Sequence, residues 1–220
     1  MGSDAGQRED ATSIFLEGVR QIGVIPVVTI EDAASAPALV LTLLASGLTH
    51  IEITLRTPAA LDALTAASGS GAVLGAGTVT TAAEATRAIS AGAQFVVSPG
   101  LDEGVVRRCQ GAGVPVLPGV ATPTEVMTAR SWGLRAVKVF PVASMGGVGF
   151  VRSLSAVWPD LDLVPTGGVT LADASDYLAV PAVAAVAGSW MVPTELVRGA
   201  DWEQIGARAR AASTLRWSVA

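Results

Sequence analysis

Lysine is almost missing from this chain. Of 220 residues only Lys138 is a lysine, and the other thirteen basic residues are arginines. Cysteine and histidine are as scarce, with Cys109 and His50 the single examples. One cysteine excludes an intrachain disulfide, and its polar helical surroundings, DEGVVRRCQG, give no sign of an activated thiol; an intracellular, cytoplasmic setting is expected. One histidine, and no carboxylates at metal-ligand spacing, remove the usual material of a zinc or other metal site. Charge is thin as well. Charged residues make up 15%, against about 25% in an ordinary globular protein, so much of the chain is interior or packed against partners. The net charge of −5, with no basic run, argues against nucleic acid and anionic membranes. The most apolar stretches, Ala36–Ala45 and Val180–Ala187, fall short of the roughly 20 residues of a membrane span. The first residues, MGSDAGQRED, resemble neither a signal nor a transit peptide, and residues 1–10 are expected to be a disordered tail before one domain over 11–220.

What is present gathers around the one lysine. In LRAVKVFP, Val137, Val139 and Phe140 surround Lys138 in a β-branched run ending at a proline, which reads as a short buried strand. Burial disfavours the ammonium and lowers a lysine pKa, which is how a neutral, nucleophilic amine is obtained; arginine has no such option. A lysine at a strand end that extends to solvent is the other reading.

After a helix over Ala11–Gln21, with Ile14, Phe15, Val19 and Ile22 on one side, a regular alternation begins. Eight short apolar runs begin at residues 23, 50, 72, 94, 114, 135, 161 and 183, between 20 and 27 residues apart, with helical spacing between them. Thr80, Asp102 and Thr122 offer N-caps, and Gly47, Gly92, Gly113 and Gly133 stand where left-handed helix ends are wanted. Eight βα units with near-continuous apolar strands mean an α/β fold, a single-domain (β/α)8 TIM barrel with an extra N-terminal helix. A doubly wound open sheet is the runner-up, disfavoured by the lack of GxGxxG after the first strand and by only one further helix, Trp202–Ala212.

A barrel places its chemistry at the C-terminal ends of its strands. On IEITLRT, alternation sets Glu52, Thr54 and Arg56 opposite Ile51, Ile53 and Leu55, so the polar set points inward. Glu52 and Arg56 could be a structural ion pair, or a base and an anion clamp next to Lys138. Thr78 ends GAGT, Pro99 lies in SPG, and the Gly167–Gly168 turn with Ser189 on the next strand suits a phosphate cradle, although Gly-Gly also serves plain tight turns.

The motifs PVV, IEITLRT, GAGTV, QFVVSPG, LPGVATPTE, KVFPVAS, GGVGFVRSL, PTGGV and GSWMVP, in that order over Ile14 to Pro193, closely resemble the 2-keto-3-deoxy-6-phosphogluconate (KDPG) and 4-hydroxy-2-oxoglutarate (KHG) aldolase family. The resemblance implies a class I, Schiff-base aldolase needing neither metal nor cofactor, commonly a homotrimer. It implies Lys138 as the Schiff-base lysine, Glu52 as general acid/base, Arg56 and Thr78 around the pyruvyl carboxylate with Pro99 alongside, and Gly167, Gly168 and Ser189 at the phosphate. KVFPVAS stands where the family usually has KFFPAE, which bears on pocket shape and substrate preference. The galactonate epimer, an unphosphorylated hydroxy-keto acid, an isomerase using Glu52 alone and a non-catalytic phosphosugar-binding barrel are the competing functions. From the scarcity of metal ligands, cleavage activity is expected to survive exhaustive treatment with EDTA; a loss that zinc or magnesium restores would overturn the metal-free reading.

Overall fold

The computed structural model describes residues 10–215, so the expected N-terminal tail, apart from Asp10, lies outside the described residues. Asp10 is the N-cap of helix α1 (Ala11–Ile22), accepting from Ser13 N at 2.8 Å. Strands and helices then alternate: β1 (Val24–Val28), α2 (Ala36–Ala45), β2 (His50–Thr54), α3 (Ala60–Ala67), β3 (Val73–Gly77), α4 (Ala82–Ser90), β4 (Phe95–Val97) and α5 (Glu103–Ala112). The fifth apolar run is two short pieces, β5 (Val116–Leu117) and β6 (Gly119–Val120), parted at Pro118, which has no N–H for a ladder. There follow α6 (Pro123–Ser131), β7 (Ala136–Val139), α7 (Gly147–Val157), β8 (Asp162–Pro165), α8 (Ala174–Leu178), β9 (Val186–Gly188), α9 (Thr194–Arg198) and α10 (Trp202–Ser213).

Every strand pair is parallel. One sheet runs β5-β4-β3-β2-β1-β9 and the other β6-β7-β8, with single parallel bridges Leu163↔Val183 and Thr166↔Ala187 beside them. The protein is therefore an α/β fold on parallel sheet, with all strand C-termini at the same end.

Alternation along the strands divides the interior. Ile51 and Ile53 join Leu39, Leu43, Leu48 and Leu64 in a layer between strands and helices, where each fully buried leucine contributes about 1.5–3 kcal/mol. Ile25, Phe95, Val97, Leu117, Ala136 and Val164 form a second cluster on the opposite face, joined by Phe15, Leu16 and Val19 of α1. Helix α1 thus packs across the N-terminal ends of the strands. Its buried face is turned slightly from the expected one: Phe15 and Val19 are buried as expected, but Leu16 is buried as well and Ile14 is 57% exposed.

Local signals mostly hold. Asp102 and Thr122 are N-caps, the latter in a full capping box with Glu125. Thr81 rather than Thr80 caps α4, since Glu84 reaches back to the N–H and hydroxyl of Thr80 while Thr81 accepts from Glu84 N. Gly47, Gly92, Gly113 and Gly133 all have positive φ at helix ends. Two helices, α9 and α10, follow the last strand where one was expected. Among the described residues no helix is long and apolar enough to cross a membrane.

His50, at the start of β2, is buried against α1: its ring lies 5.7 Å from that of Phe15, its Nδ1 is 3.0 Å from Thr49 Oγ1, and a Cβ at Gly18 would run into it. Burial pushes its pKa down to about 4 from 6.5. The unfolded chain binds the extra proton between those values, so stability falls as pH drops from 6.5 toward 4. Wild type should lose roughly 3 kcal/mol over that window that His50→Gln does not, read from urea unfolding at stepped pH. Parallel pH profiles for the two proteins would contradict this role.

Candidate active site

The two residues set apart by the sequence meet inside the strand layer. Lys138 on β7 is 5% exposed and Glu52 on β2 is 2% exposed, with Nζ 3.9 Å from Oε1. At that separation they attract as charges but share no hydrogen bond, and Glu52 Oε1 has no hydrogen-bond partner among the described residues. Burial pushes the Glu52 carboxyl up from its ordinary pKa, while the positive charges of Lys138 and Arg56 pull the other way. A carboxyl so placed suits proton transfer, because a raised pKa lies nearer the working pH and an unoccupied oxygen is available.

Neighbouring strands supply the room. Glu52 lies in register with Val27 on β1 and Gly75 on β3, and Lys138 with Gly119 on β6 and Val164 on β8. A Cβ at Gly77 would collide with Glu52 Oε1, one at Gly75 with the Phe95 ring, and one at Gly119 with the Pro99 carbonyl. Glycine is therefore what admits the carboxylate on β3 and the close approach of the β4 loop.

The other predicted residues lie on the loops after β2, β3, β4, β8 and β9. Arg56 is exposed two residues beyond β2, with Nη2 donating to Thr29 Oγ1 at 2.6 Å and Nε donating to Thr54 Oγ1 at 3.3 Å. Thr78 has φ +59, which a β-branched residue adopts only under constraint; the following N–H, of Val79, is fixed to Val97 O at 3.1 Å. Pro99 is half-buried beside Gly119. Gly167 and Gly168 have φ of +90 and +87, and a Cβ there would press on Phe140 and Pro141, or on Ala143 at 2.5 Å. The Thr166↔Ala187 bridge sets that turn beside the loop bearing exposed Ser189.

Three participants were missed. Phe140 presents its ring 5.0 Å from Lys138 Nζ, within cation–π reach, and Thr29 and Thr54 hold Arg56. Phenylalanine and threonine at strand ends read as ordinary β-formers; only the Thr54 position, inward by alternation with Glu52, carried a signal. A cavity of about 730 Å³ lies at the opposite strand ends, lined in part by Phe15, His50, Val73 and Gln94. That cavity contains no amine, so volume and chemistry separate, and the chemistry decides. Among the described residues no cluster of His, Cys, Asp or Glu could hold a metal ion, and Cys109 is buried with its thiol pKa pushed up to about 11.

A parallel α/β fold with a buried amine facing a carboxyl inside its strand layer is an arrangement that an imine-forming lyase requires. The family model described as KDPG and KHG aldolase matches residues 16–208, and the chain belongs to that family. It is 42% identical over 195 residues to the 2-dehydro-3-deoxy-phosphogluconate aldolase of Treponema pallidum, covering 88% of this chain and 93% of that one. Among solved structures it is similar to the 2-keto-3-deoxy-6-phosphogluconate aldolase of Zymomonas mobilis with 3-phosphoglycerate, at 38% identity and TM-score 0.85, covering 93% of this chain and 98% of the other. It is similar too to the Legionella pneumophila KDPG aldolase with pyruvate captured as a covalent carbinolamine, at 33% identity and TM-score 0.87 with the same coverage.

If Gly77 is what admits the Glu52 carboxylate, Gly77→Ala should lower turnover by about 100-fold while circular dichroism stays that of wild type. Turnover within a few-fold of wild type would show that the carboxylate needs no such space.

Proposed function

We propose that this chain is a class I lyase that reversibly cleaves 2-keto-3-deoxy-6-phosphogluconate to pyruvate and glyceraldehyde 3-phosphate, with Lys138 as nucleophile and Glu52 as general acid and base. Action on 4-hydroxy-2-oxoglutarate, giving pyruvate and glyoxylate, belongs to the same reading. The observation that carries it is the buried Lys138–Glu52 pair at 3.9 Å, an amine and a proton-transfer group within one small space.

The amine, in its neutral form, attacks the C2 ketone to give a carbinolamine; Glu52 gives a proton to the carbinolamine hydroxyl, which leaves as water, so that an iminium and the Glu52 carboxylate remain. Glu52, directly or through water, takes the proton of the C4 hydroxyl. The C3–C4 bond breaks, its electrons pass to the iminium as an enamine, and the aldehyde leaves. The same carboxyl returns a proton to C3, and hydrolysis frees pyruvate and the amine. The carbinolamine trapped in the Legionella relative is the first adduct of this sequence, which supports an amine nucleophile here. Arg56 and Thr78 hold the pyruvyl carboxylate with Pro99 alongside, Phe140 packs beside the amine, and Gly167, Gly168 and Ser189 receive the phosphate. The three-carbon phosphate in the Zymomonas relative is the size of the departing half. The galactonate epimer and a non-catalytic binding barrel find less support, since curated relatives from 35% to 42% identity bear the phosphogluconate or KHG/KDPG aldolase name.

The strands are read as one closed (β/α)8 barrel. Support comes from the segment Val116–Val120, which contributes to both sheets, and from the two bridges that set β9 beside β8. A cytoplasmic homotrimer fits the low charge and the exposed Leu41, Met127 and Val157.

Pyruvate with borohydride should add one stable three-carbon group, mapped to Lys138 by peptide sequencing, and Lys138→Arg should abolish both label and turnover while keeping the charge. The only competing amine is the N-terminus. A label confined there, or wild-type turnover in Lys138→Arg, would end the assignment.

A further inference from the structure

We propose that Thr29 is a positioning residue for Arg56, and that Thr29 and Thr54 together fix which side of the guanidinium meets the substrate carboxylate. The inference rests on reading Arg56 as the carboxylate clamp. Thr29 lies one residue beyond the PVV motif of the first strand and carries no role in that reading.

The protons account for the arrangement. Thr54 Oγ1 donates to Val28 O at 3.0 Å, which commits its only proton to the backbone of β1. In the 3.2 Å contact between the two hydroxyls, Thr29 is then the donor and Thr54 the acceptor. Arg56 supplies the rest, with Nη2 donating to Thr29 at 2.6 Å and Nε to Thr54 at 3.3 Å. A directed chain runs from guanidinium to Thr29 to Thr54 to the Val28 carbonyl, a carbonyl that parallel pairing of β1 with β2 holds in place. The two hydroxyls occupy the Nε and Nη2 side of the fork, as the oxygens of a carboxylate would. Of five guanidinium N–H groups, three remain, and the pair free to grip a substrate carboxylate is the terminal one on Nη1 and Nη2. Arg56 is exposed, and an exposed arginine without these contacts would sample many rotamers; with them, a planar donor pair is held ready for docking.

The same tether has an electrostatic effect. The Arg56 charge opposes the rise that burial imposes on the Glu52 carboxyl. Releasing Arg56 weakens that opposition and moves the acidic limb of the rate profile to higher pH, since Glu52 then ionises later. The Thr29 hydroxyl meets Thr54 and Arg56 rather than Lys138 or Glu52, so its influence passes through Arg56.

The test compares Thr29→Val, Thr29→Ser, Arg56→Gln and the double variant Thr29→Val/Arg56→Gln, in KDPG cleavage and in borohydride trapping with pyruvate, which has the carboxylate but no phosphate. Thr29→Val should raise the KM for KDPG and the half-saturating pyruvate concentration together by about tenfold, with kcat changed by less than about threefold. The acidic limb should move up, Thr29→Ser should restore all three, and Thr29→Val should add nothing once Arg56 is glutamine. Arg56→Gln with unchanged pyruvate saturation would refute the clamp itself. Arg56→Gln weakened but Thr29→Val unaffected, a Thr29→Val effect that persists in the double variant, or no recovery with serine would each overturn the role of Thr29 alone.

Discussion

One amine buried beside one carboxyl is the constraint around which the rest is arranged. Taking both charges from water costs several kcal/mol each, and their attraction recovers that only with close geometry. Here the geometry is held open at 3.9 Å, and Glu52 keeps an oxygen with no hydrogen-bond partner among the described residues. A tighter pair would hold the carboxylate more firmly in its charged form and make it a weaker base toward a hydroxyl. The separation is set by backbone: β2 and β7 are fixed by their parallel ladders, with Gly77 leaving room for the Glu52 carboxylate.

The same division of labour extends to the rim. Strand ladders and capped helices form a stiff frame, while the ligand-facing segments are turns whose backbone has unusual dihedrals, at Thr78, Gly167 and Gly168. Rigid support with permissive loops lets small changes in a turn alter what is bound without moving the amine. The replacement of the common family residues just after Lys138 falls in such a segment, where Val142 N and Ala143 N donate to Thr166 O and Gly167 O. Substitutions there reach the Gly167–Gly168 turn, the proposed phosphate end, through its backbone.

Much of this was legible in the residues, for physical reasons. A lone lysine among arginines, set in a β-branched run, announces a buried amine; alternation in IEITLRT puts Glu52 inward; apolar runs at regular spacing give parallel strands. What escaped reading depends on register between distant segments. Thr29 and Arg56 are 27 residues apart and meet because β1 pairs with β2, a fact no local pattern contains. Phe140 follows a strand of valines and reads as more core until the Lys138 amine is placed above its ring. Helix α1 was found, but its buried stripe was misjudged, since Leu16 and Ile14 are equally apolar and only the packing beneath chooses between them. The break at Pro118 and the extra helix α9 are adjustments of a few residues, below the grain of periodicity.

The packing of Phe15, Leu16 and Val19 against the inner cluster stoppers one end of the strand interior. On the closed-barrel reading, what reaches Lys138 arrives and departs past the rim at the C-terminal ends of the strands. On the proposed mechanism a cleaved substrate leaves as a queue, the free aldehyde first and the covalently held three-carbon piece after it. In the synthetic direction the queue reverses, pyruvate loading before any second carbonyl compound. The nucleophile is thereby chosen in the depths and its partner at the doorway, and the two choices can change independently over evolutionary time.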